Sequence, residues 1–326
     1  MTEHKGNPAF WIGNLPILGD LILAPMDGYS DMPFRRLARE LGSAMSYTEF
    51  INAGEVFHTH PKLEQKLQFT EFERPLVYQI YDNNEERLLE AALFLRKRNP
   101  DVIDINMGCS VPSISGRGAG AGLLRNPEKV GRIIRELVNA LDIPVTAKIR
   151  LGWDPNSKNY LEVARAIEEN GGKMIAVHAR TKVQGYTGQA EWPAIAEIKS
   201  RAGIPIVGNG DVRSVADIER MKAETGCDGV MIGRAATTNP WLLARMDRAD
   251  VPLEKVEETY QHHLAYLVEF YGEYGVILFR KYAVRYLAPY HYSRELREDL
   301  LAAMDRVEFW NISMRIFEEI RQRRIG

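Results

Sequence analysis

Cys109 is one of only two cysteines in this 326-residue chain, and it follows Asn106 by three residues within DVIDINMGCSVPSISGRGAGAGLL, residues 101–124. Val102, Ile103 and Ile105 make a short β-branched run ahead of it, and Gly108 lets the backbone turn sharply between that run and the thiol. The pattern reads as a strand delivering a thiol to a loop at its carboxyl end, where α/β enzymes keep their chemistry. Taken alone, a cysteine can equally be a small buried apolar residue. Its company favours chemistry. Lys148 and Arg150 stand two apart, so on a strand they share a face and set two cations side by side. Burying such a pair is costly without a partner, and an anionic ligand is the natural one, with Glu49 or Asp104 as carboxylates that could neutralise one cation instead.

The elements that must position these groups alternate along the chain. Strand patterns fall at residues 21–24, 44–47, 76–80, 102–105, 144–149, 174–177, 205–207 and 229–232. Helical periodicity falls at 31–41, 85–96, 128–141, 161–170, 192–201 and 214–224, the last opened by a Ser214/Asp217 capping box and stopped at Gly226. Eight such units predict an α/β fold, a (β/α)8 TIM barrel, preceded by a polar arm. From Trp241 to about Val251 the pattern reads as a junction. Beyond it, residues 253–326 show apolar residues at helical spacing and no strand pattern, which predicts a C-terminal all-helical domain. The expected division is 1–248 for the barrel and 249–326 for the helical domain.

In a barrel of this kind the polar residues at strand ends converge: Gln79, Asn106, Lys148, Arg150, His178, Asn209 and Arg234. Gly208-Asn209-Gly210-Asp211 and Gly233-Arg234, after the seventh and eighth strands, are small-residue turns of the sort that hold phosphate, or ordinary glycine turns. Gly116, Gly118 and Ala121 fit a dinucleotide pattern loosely but come too far behind their strand. His58 with His60, and His262 with His263, lack the carboxylate or cysteine spacing of a metal site, and none is expected. Cys109 and Cys227 form neither a disulfide framework nor a zinc pattern, and Cys227 reads as structural.

With 45% hydrophobic and 26% charged residues, net charge −2 and pI near 6.4, the chain is not coated in nucleic-acid-binding charge, although one basic face is compatible with these figures. No apolar run is long enough for a bilayer, and the start MTEHKGNPAF has no signal-peptide character, so a cytoplasmic protein without membrane contact is expected. A monomer is the default.

Taken together, the motifs resemble those of the tRNA-dihydrouridine synthase family along nearly the whole chain. The resemblance is carried by LAPMDGYSDMPFR at 23–35, YQIYD at 78–82, DINMGC at 104–109 and TAKIRLGW at 146–153. It continues through HARTKVQGYTGQAEW at 178–192, GNGDV at 208–212, DGVMIGRAATTNPW at 228–241 and FRKYAVRYLAPY at 279–290. It implies an FMN enzyme that takes reducing equivalents from NADPH or NADH and saturates the C5–C6 bond of uracil in tRNA. Pro25, Met26 and Asp27 would lie against the flavin ring, with Gln79 and Lys148 on its pyrimidine edge. His178, Asn209, Gly210, Asp211, Gly233 and Arg234 would hold its ribityl chain and phosphate. Asn106, Arg150 and Tyr186 would face the uracil, and Cys109 would be the acid that protonates C5. The helical domain would clamp the RNA, with Arg280, Lys281 and Arg285 as its candidate contacts and Arg321, Arg323 and Arg324 ending the chain. Ser110 and Tyr282 stand where the family often has proline and histidine. Two other readings fit parts of the pattern: a small-molecule FMN oxidoreductase of the dihydroorotate-dehydrogenase kind, and a non-catalytic tRNA-binding protein.

Overall fold

A computed structural model describes residues 7–58 and 61–325, so the start of the arm and His60 lie outside the described residues. Eight parallel strands run round a barrel: β1 (Leu21–Leu23), β2 (Ser46–Tyr47), β3 (Leu76–Tyr81), β4 (Val102–Met107), β5 (Val145–Arg150), β6 (Ile175–His178), β7 (Ile206–Asn209) and β8 (Gly229–Ile232). Each pairs with the next from β2 to β8, and β8 returns to β1 with Val230 opposite Leu21. The remaining gap is bridged by Ala44 N–H to the Leu21 carbonyl at 2.7 Å and by Leu23 N–H to Ser43 Oγ at 3.0 Å. The TIM barrel is as expected. Its second strand is shorter than the sequence pattern, and a separate piece, Ile51–Asn52, pairs with β3 beyond residues 48–50.

Helices α1 (Met32–Glu40), α2 (Pro61–Leu67), α3 (Glu85–Arg96), α4 (Pro127–Ala140), α5 (Tyr160–Glu169), α6 (Trp192–Lys199) and α7 (Val215–Thr225) follow β1 to β7 in turn. Of these, α2 has no counterpart in the sequence pattern. The capping box of α7 forms as its residues predict, and Gly226 ends the helix in the left-handed region at φ +65.

Strand alternation separates two environments. On β5, Val145, Ala147 and Ile149 pack outward against the helices, which leaves Thr146, Lys148 and Arg150 on the barrel's inner face. The expected polar arm is in part a plug. Phe10–Ile12 pairs antiparallel with Leu15–Ile17 across a Gly13-Asn14 turn, with Gly13 at φ +60. Phe10, Ile12 and Ile17 join Ile22, Val77, Val102, Met174, Val207 and Met231 in one buried cluster that fills the barrel's lower interior.

After β8 come short 3-10 turns and then α8 (Leu253–Tyr271), α9 (Tyr274–Leu287), α10 (Arg294–Ala302) and α11 (Arg306–Ile325), with no strand among the described residues of this stretch. The junction is packed rather than loose: Trp241 is buried and its indole N–H donates to Thr259 Oγ1 at 2.9 Å. Phe34 of α1 lies 5.3 Å, ring to ring, from both His263 and Tyr282, joining the barrel to the helical bundle. His263 is wholly buried, bonds Tyr286 Oη through Nδ1 at 2.9 Å, and is pushed down to about 3 by burial and the charge of Lys281. It is a neutral core histidine.

Candidate active site at the barrel mouth

The thiol loop is held by a chain of side-chain hydrogen bonds rising from the barrel interior. Asp104 accepts from Thr146 Oγ1 at 2.6 Å and from Gln79 Nε2 at 2.8 Å. Gln79 Oε1 accepts from Asn106 Nδ2 at 2.9 Å, and Asn106 Oδ1 accepts the backbone N–H groups of Gly108 and Cys109 at 3.0 and 2.8 Å. Gln79 and Asp104 have no exposed surface. Gly120, at φ +54, lies against this loop. A Cβ there would stand 3.0 Å from the Cys109 carbonyl oxygen and 3.1 Å from its Cβ, so the glycine is what admits the 120–125 turn. Ala121 N–H then donates to the Cys109 carbonyl at 3.1 Å. Gly120 thus supports the thiol loop. Cys109 is partly exposed, and burial raises its thiol pKa against the pull of the Val111 N–H and Arg150. It is a protonated thiol at neutral pH. Cys227 is buried among apolar neighbours.

Two cations stand beside it, as the spacing predicts. Lys148 Nζ donates to Asn209 Oδ1 at 3.1 Å, and burial together with Arg150 lowers its pKa to about 8. Arg150 is turned to carbonyls: Nε to Gly108 at 2.7 Å and Nη1 to Thr181 and Gly185 at 2.9 Å each, with its pKa lowered to about 10, chiefly by burial. One guanidinium therefore ties the thiol loop to the loop after β6. Neither cation meets a carboxylate. Glu49 instead accepts the Gly28 N–H, and Asp104 is engaged below.

The loop after β6 carries Tyr186, 58% exposed, with its ring centre 4.0 Å from the Arg234 guanidinium, 5.6 Å from that of Arg150 and 6.0 Å from the His178 ring. Burial and four surrounding cations, Lys148, Arg150, Arg180 and Arg234, hold His178 well below its ordinary pKa, so it is neutral. Arg180 is a site residue the sequence reading missed. Buried, it grips both oxygens of Asp211 at 2.6 and 2.8 Å and the carbonyls of Thr187 and Gly188, which shapes the Tyr186 loop. Burial raises the Asp211 carboxyl, but these bonds outweigh it and the net shift is downward. Gly210 sits at φ +123 with no room for a side chain: a Cβ would come within 2.9 Å of that of Ala190.

At the β1 end, Pro25 and Met26 are partly exposed and Asp27 is exposed, paired with Lys66 at 2.7 Å. A Cβ on Gly233 would lie 3.8 Å from Met26 Sδ, so the loops after β1 and β8 abut. Lys281 and Arg285, one turn apart on α9, both cover the Tyr29 ring at 4.4 and 4.9 Å, and Lys281 bonds the Gly28 carbonyl. Arg280, the third of the expected trio, donates instead to the Ala303 and Ala302 carbonyls at the end of α10. Tyr282 is fully buried and its hydroxyl donates to the Tyr29 carbonyl at 3.1 Å. Arg321 and Arg323 are paired with Glu257 and Glu319, and the side chain of Arg324 lies outside the described residues.

Among the described residues no group of His, Cys, Asp or Glu could hold a metal ion, and no helix is long and apolar enough to cross a membrane. A protonated thiol, neutral histidine and carboxylate-free cations at the carboxyl ends of eight parallel strands define a TIM-barrel enzyme. The fold is shared with histamine dehydrogenase from Rhizobium sp. 4-9, at a TM-score of 0.56 and 14% identity over 84% of this chain and 50% of that one, a likeness of fold alone. The family model "Dihydrouridine synthase (Dus)" matches residues 22–321. A probable tRNA-dihydrouridine synthase 1 of Synechocystis sp. is 35% identical over 315 residues, 92% of this chain and 88% of that protein. A probable tRNA-dihydrouridine synthase of Aquifex aeolicus is 47% identical over 232 residues, 69% of this chain and 71% of that protein. The chain belongs to the dihydrouridine synthase family, and with it to the flavin-dependent oxidoreductases.

Proposed function

We propose that the protein is a tRNA-dihydrouridine synthase that reduces the C5–C6 bond of uridines in tRNA, with FMN at the barrel mouth and NADPH or NADH as reductant. The observation that carries this reading is Cys109: a protonated thiol on a pinned loop, opening onto the same mouth as Lys148, Arg150 and Arg234.

The residues present fit FMN. The Lys148 ammonium has a neutral amide oxygen as its partner, and the carboxylate nearest the glycine turns, Asp211, is neutralised by Arg180, so an anionic group meets no uncompensated negative charge there. Pro25, Met26 and Asp27 would flank the ring, Lys148 would take its pyrimidine edge with Gln79 beneath, and His178, Asn209, Gly210, Asp211, Gly233 and Arg234 would hold its chain and phosphate. When bound, reduced flavin supplies the hydride that adds to uracil C6. Charge then builds on the uracil oxygens, which would face the remaining donors of Arg150, fixed by its bonds to the two loops, and of Asn106, fixed by Gln79 and the thiol loop. Cys109 Sγ gives its proton to C5. Tyr186 offers an exposed ring beside this position, held between cations, on which a base can stack.

A uracil must leave its stack to enter, which costs a few kcal/mol and calls for a grip on the flanking RNA. We assign that grip to residues 249–326, with 1–248 as the catalytic barrel. Lys281 and Arg285 are its contacts nearest the mouth, and Arg280 stands apart from them. The protein is read as a cytoplasmic monomer. The test is anaerobic: the bound flavin is reduced, unmodified tRNA is added, and the return of oxidised-flavin absorbance is followed beside free uridine and orotate. Reoxidation by tRNA alone supports the reading; a faster response to orotate replaces it with a small-molecule oxidoreductase.

A further inference from the structure

We propose that Asp104 is a positioning residue: it fixes the direction of the hydrogen-bond chain that holds the Cys109 loop. The ends of that chain are chemically decided. The N–H groups of Gly108 and Cys109 can only donate, and an ionised carboxylate can only accept. Between them stand two amides, Gln79 and Asn106, each of which could sit either way round. Because Asp104 Oδ2 takes Gln79 Nε2 at 2.8 Å, Gln79 must turn Oε1 to Asn106. Asn106 must answer with Nδ2 at 2.9 Å, which leaves Oδ1 for the Gly108 and Cys109 amides. Turning either amide over sets like against like at both of its contacts. Gln79 and Asp104 are wholly buried, so no water is at hand to repair a mismatch.

The groups facing Asp104 are Tyr47 from β2, Gln79 from β3, and Thr146 and Lys148 from β5. Burial pushes its carboxyl up to about 6 against the bonds from Thr146 and Gln79. It is therefore ionised at about pH 8, where the experiment is run. The proposal rests on the preceding reading only in calling Cys109 the proton donor. Its readouts need neither tRNA nor turnover, so a failure of that reading leaves them interpretable.

The test reverses the chain on purpose, using the protein as purified. In Asn106→Asp, a carboxylate oxygen faces Gln79 Oε1, and turning Gln79 over sets Oε1 against Asp104 instead. Amide exchange in the peptide covering residues 106–111 and alkylation of Cys109 by iodoacetamide should both quicken about tenfold, the loss expected for one hydrogen bond. Adding Asp104→Asn supplies a donor to the reversed Gln79, while the carboxylate introduced by Asn106→Asp still accepts the Gly108 and Cys109 amides. The double variant should return to within about threefold of the parent on both measures. An Asn106→Asp variant with unchanged rates, or a double variant as fast as the single, overturns the proposal. Should Asn106→Asp fail to fold, Gln79→Met, which deletes the middle of the chain without adding charge, must itself raise both rates; no change there overturns the proposal equally.

Discussion

The two ends of the barrel interior are built on the same strands, with the same alternation, to opposite purposes. At the lower end Val77, Val102, Met174, Val207 and Met231 meet the hairpin residues Phe10, Ile12 and Ile17 in a dry cluster. At the upper end Gln79, Asp104, Asn106, His178 and Asn209, two or four residues further along the same inward-facing rows, are polar; Gln79 links Asp104 to Asn106, and Asn209 takes Lys148 of β5. One end holds the barrel together by burying apolar area, and the other holds Lys148 and Arg150 on amide and carbonyl oxygens with no carboxylate bonded to either. The contrast says that stability and chemistry should be separable by substitution along a single strand.

The sharpest break falls at the thiol. Cys109→Ala should lower product formation by about 10²–10⁴-fold, the range for a removed general acid, while flavin stays bound and is still reduced by NADPH in stopped-flow absorbance. Wild-type turnover in that variant would place the acid elsewhere. At the opposite end, Ile12→Ala should destabilise the fold by about 2–5 kcal/mol in urea unfolding and leave turnover per folded molecule unchanged. A loss of turnover without a loss of stability would merge the two ends.

The pH profile sharpens the same distinction. A proton donor is present below its pKa and lost as pH rises through it. Because burial raises the Cys109 thiol, the loss of turnover that it sets should come only above the ordinary thiol range, later than any loss set by Lys148 at about 8. A decline set by the thiol and already under way at neutral pH would contradict the donor role. Beyond the barrel, Lys281→Ala with Arg285→Ala should reduce the salt dependence of tRNA affinity by a slope of about 1–2, and Arg280→Ala should barely alter it. Equal effects from the two would restore a single basic face. Least of all, Cys227→Ala should shift stability by about 1 kcal/mol and turnover not at all.

Much of this architecture was legible because it rests on periodicity. Eight apolar runs with polar residues at their carboxyl ends dictated the barrel and brought Asn106, Lys148, Arg150, His178 and Asn209 to one place. The amino-terminal hairpin also had a signal, Gly13-Asn14 between Phe10-Trp11-Ile12 and Leu15-Pro16-Ile17, hidden by the polar residues before it. Arg280 could have been separated from Lys281, since neighbours on a helix point about 100° apart, whereas Lys281 and Arg285 share a face. No such rule covers Arg150 and Arg180. Their partners are mainly backbone carbonyls of remote loops, and a carbonyl is available at every residue, so the sequence carries no mark of which one is chosen.

The tie made by Arg150 has a consequence for how this mouth can change. Its guanidinium holds Gly108 in one loop and Thr181 and Gly185 in another, so the two loops are not independent modules. A Tyr186 loop grafted from a relative therefore keeps this tie only where its own backbone brings carbonyls to the places of Thr181 and Gly185.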